Sequence, residues 1–367
     1  MEAIYSSVDI AIIGAGMAGA SLAAEIGDAA RVILLEGEAY PGYHSTGRSA
    51  AFWSETYGGP AVQPLTTASH SYLGSHGFLG PRGAIHLADA GGAGAIDTLI
   101  RDYGEAVRLD RLSPGQLSER IPGLRPGKVG GLAEPSCRDI DVAGLHAHYL
   151  GRAKRSGVDM LTAATVRAVR REGDHWRIST AAGDVRAATI VNAAGAWAGQ
   201  IAALANASPI AITPYRRTMV QLEVDPPART DMPLVMDANK RFYFKPEAGG
   251  RIWLSPHDET ACPPCDAAPE EIDVAVAIDR LERVVDWRII RRERAWAGLR
   301  SFAPDRVPVY GFDTRAPGFF WFAGQGGFGI QTAPAAAMIG AALLLDAGLP
   351  EPVRHIAVER YRPSRFG

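Results

Sequence analysis

Three glycines and one carboxylate carry the most specific chemistry in this 367-residue chain. Gly14, Gly16 and Gly19 spell G-x-G-x-x-G at the end of the apolar run Val8–Ile13. Glu36 follows Gly16 by 20 residues, at the tip of a second apolar run, Arg31–Leu35. In such a unit the first glycine permits a tight turn. The second lets backbone amides approach a pyrophosphate, and the third lets a helix lie close to the strand. Met17 and Ala18 open the Ala-rich segment ending at Ile26, whose free N–H groups and partial positive charge suit phosphate. Glu36 is placed to accept hydrogen bonds from an adenosine ribose.

Two later segments repeat this logic. Ala188–Asn192 reads as a buried strand running into the small-residue turn Ala193, Ala194, Gly195, Ala196, Trp197, where the chain can pass close to a dinucleotide. Gly318–Gly324 reads as another, entering Gln325, Gly326, Gly327, Phe328, Gly329, Ile330, Gln331 and then an Ala-rich helix over 333–345. Between them and the first unit lies Tyr43–Ala51, dense in hydroxyls. His44, Ser45, Thr46, Ser49, Ala50 and Ala51 make a second cofactor-facing loop. Arg48 within it is suited to a phosphate or a ribitol oxygen.

The remaining elements must position these turns. Helical spacing appears over 66–73, 93–108, 142–156 and 272–285, and Ser113-Pro114 marks a helix start. Residues 165–170 and 176–180 read as a hairpin. Residues 218–224, 241–245 and 251–255 alternate apolar and polar, as antiparallel strands half exposed to a cleft do.

At 367 residues the chain exceeds the ~250–300 at which a single core stops growing, so two domains sharing a cleft are expected. A formal net charge of −2 provides no basic field for nucleic acid or an anionic membrane. No apolar run reaches the ~18 residues of a membrane span, and the acidic N-terminus does not read as a signal peptide. Three cysteines make no disulfide framework and fit a cytoplasmic setting. Cys262-Pro-Pro-Cys265 lies in a Pro-rich loop without a second ligand pair, so no metal site is expected. His146, His148 and His175 have no metal-like companions.

With GAGMAGAS, the acid after the second strand, GYHSTGRSAA, DIDVAGLH, IVNAAGAWA, FYFKP, WAGLRSF and GFFWFAGQGGFGIQT in view, the chain resembles a known family. It is similar to the FAD-dependent oxidoreductases of the D-amino acid oxidase and sarcosine oxidase type, most of all to bacterial D-amino acid dehydrogenases acting on D-arginine. The resemblance implies an α/β fold: a Rossmann-type FAD-binding domain (1–75, 135–207 and 296–367) with an inserted α+β substrate domain on an antiparallel sheet (76–134 and 208–295), glutathione reductase-2-like. It implies non-covalent FAD, with the backbone near Val166 receiving the adenine. It implies hydride transfer from an amino acid Cα to flavin N5, O₂ or a quinone-like acceptor, and an imino product that hydrolyses to a 2-oxo acid and ammonia.

Within that likeness, Arg216 and Arg300 match positions that bind a substrate carboxylate, and Tyr57 and Tyr243 match tyrosines that flank the substrate. Gly83 stands where relatives acting on basic amino acids place an acid, so an apolar or polar-neutral side chain is expected. Lys240 and Arg241 leave an acidic substrate open. The closing turn lacks the cysteine that covalent-flavin relatives use. Three alternatives stand: a secondary-amine oxidase of sarcosine or glycine type, a 2-hydroxy acid dehydrogenase, and a flavin-binding protein without catalysis.

Overall fold

The computed structural model describes residues 4–367. Strand β1 (Ile4–Ile13) runs parallel to β2 (Val32–Leu35) on one side and to Gly183–Asn192 on the other. Asp159–Leu161 extends the sheet beyond β2, and Phe319–Ala323 pairs in parallel with the end of Gly183–Asn192. The hairpin of Val166–Glu172 and His175–Thr180 completes one edge.

Both faces of this sheet are covered, which is why its strands are apolar throughout. Alternation divides them: Ile10, Ile12, Leu34, Phe320 and Phe322 point into one core, and Ala11, Ile13, Ile33, Phe319 and Trp321 into the other. Helix α1 (Met17–Ile26), Val142–Arg155 and Ala333–Leu344 cover the first face.

A second, ten-stranded and largely antiparallel sheet carries the other half. Its spine is Thr213–Asp225 paired along nearly its whole length with Arg288–Phe302, followed by Arg251–Ser255 and Tyr243–Glu247. The strand Arg288–Phe302 is continuous across residue 296, where the sequence placed a domain boundary. Period two again divides the residues. Val220, Leu222, Phe244, Ile252 and Leu254 pack under the helix Glu271–Glu282, through Val274, Ala277 and Leu281. Met219 and Tyr243 point the opposite way and pack with Ala50 and Phe52 of the first unit. The functional face of the second sheet is therefore the one without the helix.

Among the described residues, no helix is long and apolar enough to cross a membrane. No group of three or more His, Cys, Asp or Glu is arranged to hold a metal ion.

Gly19 shows how tightly the first turn is built. A Cβ there would lie 1.8 Å from the Gly14 carbonyl oxygen, a backbone atom that has nowhere to move. Gly19→Ala is expected to destabilise the fold by about 1–3 kcal/mol. Urea melts of the variant would measure it, and unchanged stability would contradict this packing.

Candidate active site

The first glycine turn is built as a cradle. Gly14 has φ +103°, and a Cβ on it would come within 2.5 Å of the Ala193 carbonyl oxygen. The turn at Ala194–Trp197 thus lies against the G-x-G-x-x-G turn. Glu36 accepts from the Ala15 amide at 3.0 Å and the Glu38 amide at 3.0 Å, so its carboxylate sits beside the same turn. Thr46 reaches over the start of α1, where its hydroxyl accepts from the Met17 amide at 3.0 Å. His44 pairs with Glu38 at 2.8 Å and packs on the Trp197 ring, and Ser45 donates to the Leu299 carbonyl at 2.7 Å. Gly16, Met17, Ala18, Gly19, Glu36, Thr46, Ala194 and Gly195 are in this way brought to one place. Val166 stands near its edge, at the start of the hairpin and against the core beside Leu35.

Arg48 behaves differently from the sequence expectation. Its guanidinium donates to the Ala267 carbonyl at 2.8 Å and the Ala297 carbonyl at 3.2 Å and pairs with Asp266, which Tyr43 also meets at 3.2 Å. Its donors are spent strapping the second sheet's 262–267 loop onto the 43–48 loop, rather than offered to a phosphate.

The closing turn meets the substrate side. Gly326 has φ +56°, and a Cβ on Gly327 would sit 3.0 Å from the Tyr57 hydroxyl and 3.1 Å from Arg300. Phe328 packs with Val62 and Phe302. Gln331 has its buried side-chain amide engaged by other residues of the chain. The oxygen accepts from the Ser54 amide at 3.1 Å. The nitrogen donates to the Ser54 carbonyl at 3.2 Å, the Tyr57 carbonyl at 3.0 Å and the Thr66 hydroxyl at 2.9 Å. It fixes the loop that presents Tyr57.

Around Gly327 the structure gathers Arg300, Tyr57 and Tyr243. Arg300 donates to the Tyr57 hydroxyl at 2.7 Å and the Tyr243 hydroxyl at 3.4 Å, while Tyr243 donates to the Met219 sulfur at 3.1 Å. Phe52 edges both tyrosine rings. Trp53, one residue on, turns away and donates to the Thr66 carbonyl.

Arg216 is not in this group. Tyr215 pairs with Arg300 across the two long strands, and Arg217 with Gly298. These share a face, so Arg216 points to the other side. There it pairs with Glu270 and with Asp273 at 3.0 Å, at the start of the covering helix. Arg217 takes the place expected of Arg216. It is 3% exposed and donates to the Asp258 carbonyl at 2.7 Å and to Glu259 at 3.1 Å. Its Nη1 has no partner among the described residues. His257 also lines this cluster, with its ring between those of Tyr57 and Tyr243. Arg217 could have been found from strand phase, since Met219 and Arg217 share parity. Nothing in the sequence singled out His257.

The electrostatics follow from two guanidiniums in one enclosure. Burial, then the charge of Arg300, pushes the Arg217 pKa down. Burial opposes the charged form of Arg300 too, but the Tyr57 and Tyr243 phenols outweigh it and its net shift is upward. Burial would raise the Tyr57 phenol; Arg300 and Arg217 overcome it, and the net shift is downward. The chamber is suited to an anion.

A small, mostly apolar cavity extends from the cluster, bounded by Thr56, His86, Met236, Phe242, Tyr243 and His257. Behind its wall lies a fully buried carboxylate, Glu134. It accepts from the Thr56 hydroxyl at 2.7 Å, the Ser54 hydroxyl at 3.0 Å and the Glu55 amide at 2.8 Å, and pairs with His86 at 3.1 Å. That carboxylate is already satisfied and is not offered to a substrate cation. Arg241 is likewise bound by Asp237 and Asp89.

Two groups at this site make folding sensitive to acid. Burial would raise the Glu134 carboxyl, but His86, Thr56 and Ser54 hold it below its usual range. Its contribution is present above the unfolded value near 4.5 and is lost as pH falls through the folded one. Burial, then Arg217 and Arg300, pushes the His257 imidazole down from 6.5 to about 2. Its contribution is complete above 6.5 and drains away as pH falls below that. Between pH 7 and 5 the fold is expected to lose about 1–2 kcal/mol through His257. Urea melts at the two pH values should show this slope flattened in His257→Asn, and an equal slope would refute it. Gln331→Ala, which leaves the buried Ser54 amide without its acceptor and removes three further contacts, is expected to lower stability by about 1–3 kcal/mol by the same measurement.

Comparison with known proteins identifies the family. Over 272 residues the chain is 27% identical to the hydrogen cyanide synthase subunit HcnC of Pseudomonas aeruginosa, covering 72% of this chain and 62% of that one. The chain thus spans about three-fifths of the length of that curated relative, and half of its Pseudomonas protegens counterpart. L-proline dehydrogenase from P. horikoshii has a similar structure, with a TM-score of 0.85, 23% identity and 98% of each chain covered. Glycine oxidase from Geobacillus kaustophilus matches with a TM-score of 0.82, 21% identity, and 97% and 98% of the two chains covered. The model of the DAO family, FAD dependent oxidoreductase, matches residues 9–343, and the chain belongs to that family.

Proposed function

We propose that this chain oxidises a small α-amino acid at its Cα, a D-amino acid with a neutral side chain being the first reading. The observation that carries this is the meeting of Arg300 and the partnerless Nη1 of Arg217 with two tyrosine hydroxyls beside the second glycine turn.

The residues present fit FAD, held without a covalent link. The cradle at Gly14, which a Cβ would fill, and the amide-rich start of α1 would hold the pyrophosphate. Glu36 would hold the ribose, and the 326–330 turn the pyrimidine end of the ring. FAD, when bound, supplies a two-electron acceptor for the Cα hydride.

The protein binds and orients the substrate. Arg300 offers a planar fork of donors to the substrate carboxylate. Arg217 adds a second positive charge. Their combined field in a partly dry chamber disfavours a substrate that enters as an ammonium. Tyr57, Tyr243 and Phe52 close the remaining sides and exclude water. The imino acid hydrolyses in solution to a 2-oxo acid and ammonia. With Glu134 and Asp237 both occupied, a basic side chain would find no free partner, which supports the neutral preference.

A second reading, glycine or an N-alkyl amino acid, is supported by the small cavity and by the likeness to a glycine oxidase and a proline dehydrogenase. Anaerobic bleaching of the bound flavin, with neutral D-amino acids, glycine, sarcosine and 2-hydroxy acids tried in turn, decides among these. Bleaching by neutral D-amino acids fits the first reading. Bleaching by glycine or sarcosine alone fits the second. Bleaching by hydroxy acids alone, or by nothing, defeats both. In the same assay Arg300→Lys should weaken saturation by roughly 10–100-fold, the worth of a charged hydrogen-bond pair. Arg216→Gln should change it less than about twofold, because its side chain lies on the opposite face of the strand and pairs with Glu270 and Asp273.

A further inference from the structure

We propose that His257 is the hydrogen-bond acceptor for the substrate nitrogen, selecting a neutral amine opposite the Arg300 carboxylate clamp. This rests on the amine-oxidation reading above.

The backbone gives the first argument. His257 has φ +55°, a left-handed conformation that a non-glycine residue adopts only where its surroundings impose it. Its amide donates to the Ser255 hydroxyl at 3.1 Å. The next residue, Asp258, accepts from the Thr218 amide at 2.7 Å and the Thr218 hydroxyl at 3.0 Å. The turn is held from both sides, and the ring is directed between Tyr57 and Tyr243, at centroid distances of 6.4 and 5.8 Å.

The second argument is the tautomer. Nδ1 faces the Lys240 carbonyl oxygen, which only accepts, so Nδ1 carries the proton and Nε2 presents a lone pair. Among the described residues no donor meets Nε2, and the ring lines the cavity beside the clamp.

The third is charge. Cations Arg217, Arg300 and Lys240 face the ring, as do the phenols of Tyr57 and Tyr243. The nearby acids are engaged elsewhere: Asp258 with Thr218 and Arg217, Glu259 with Arg217 and Arg306. Burial and these cations keep the imidazole neutral. It is too weak a base to keep a substrate proton. It therefore serves as an acceptor, and an ammonium must shed its proton to solvent before it is held. The enclosure then offers donors at one end and a bare acceptor at the other, the complement of a carboxylate and an adjacent N–H.

The test uses the flavin-loaded enzyme and two non-oxidisable ligands of the same shape, 2-aminoisobutyrate and isobutyrate, titrated by the change in flavin absorption. His257→Asn tolerates the left-handed backbone and keeps a donor toward Lys240, but lacks Nε2. In the unsubstituted enzyme, the affinity for 2-aminoisobutyrate should rise as pH increases toward the amine's own pKa, while that for isobutyrate does not follow this rise. His257→Asn should weaken the amine by about tenfold, the loss of one hydrogen bond, and change isobutyrate by less than twofold. Equal weakening of both ligands, or of neither, overturns the proposal. Should the variant not fold, ¹⁵N spectra of histidine-labelled enzyme decide instead. An unprotonated Nε2 that shifts with 2-aminoisobutyrate and not with isobutyrate supports it; a protonated or unmoved Nε2 overturns it. A failure of the function reading looks different: no amine bleaches the flavin, whatever these ligands do.

Discussion

Two guanidinium groups confined in one chamber set the terms for this molecule. Arg217 is buried and Arg300 half-buried, and the anions nearest them are few. Like charges so placed repel each other, and desolvation adds to the cost. The fold meets that cost with partial neutralisation: two phenols on Arg300, and Asp258 and Glu259 on Arg217. One guanidinium nitrogen is left without a partner. A carboxylate entering the chamber completes what the protein leaves incomplete, so binding energy is concentrated at the point where a substrate must be held.

Strand alternation decides which side chains take part. Arg217, Met219 and Tyr243 face the first unit, while Val220, Leu222 and Phe244 lie beneath the helix. Shifting the strand Thr213–Asp225 by one residue would exchange Arg217 for Arg216 and empty the chamber of half its charge. The 13-residue pairing of the two long strands therefore has a functional consequence beyond holding the sheet together.

The same alternation explains what could be read from the sequence. The turn at Gly14–Gly19, Glu36, and the strand-to-helix passages at 192–197 and 323–333 depend on local backbone chemistry, and they were legible. Arg300, Tyr57 and Tyr243 were reached through resemblance and lie together. Arg216 matches the family pattern by resemblance, but the phase of a half-exposed strand is set by what packs on each face, and that is a tertiary fact. Arg48 and Gln331 were assigned to the cofactor from the composition of their loops. Long-range partners instead claim their donors: Asp266, Ala267 and Ala297 for Arg48, and Ser54, Tyr57 and Thr66 for Gln331. His257 owes its place to a left-handed turn after a strand, which no local pattern announced.

The amide of Gln331 bridges segments 265 or more residues apart in sequence, joining the closing turn to the loop that carries Tyr57. The Arg48 strap ties the other end of the same assembly across two sheets. With these joints the coenzyme cradle and the substrate chamber cannot stiffen independently. Free energy gained by ordering one is felt at the other, and thermodynamic reciprocity gives the coupling equal size in both directions. An occupied chamber should therefore slow escape of the coenzyme.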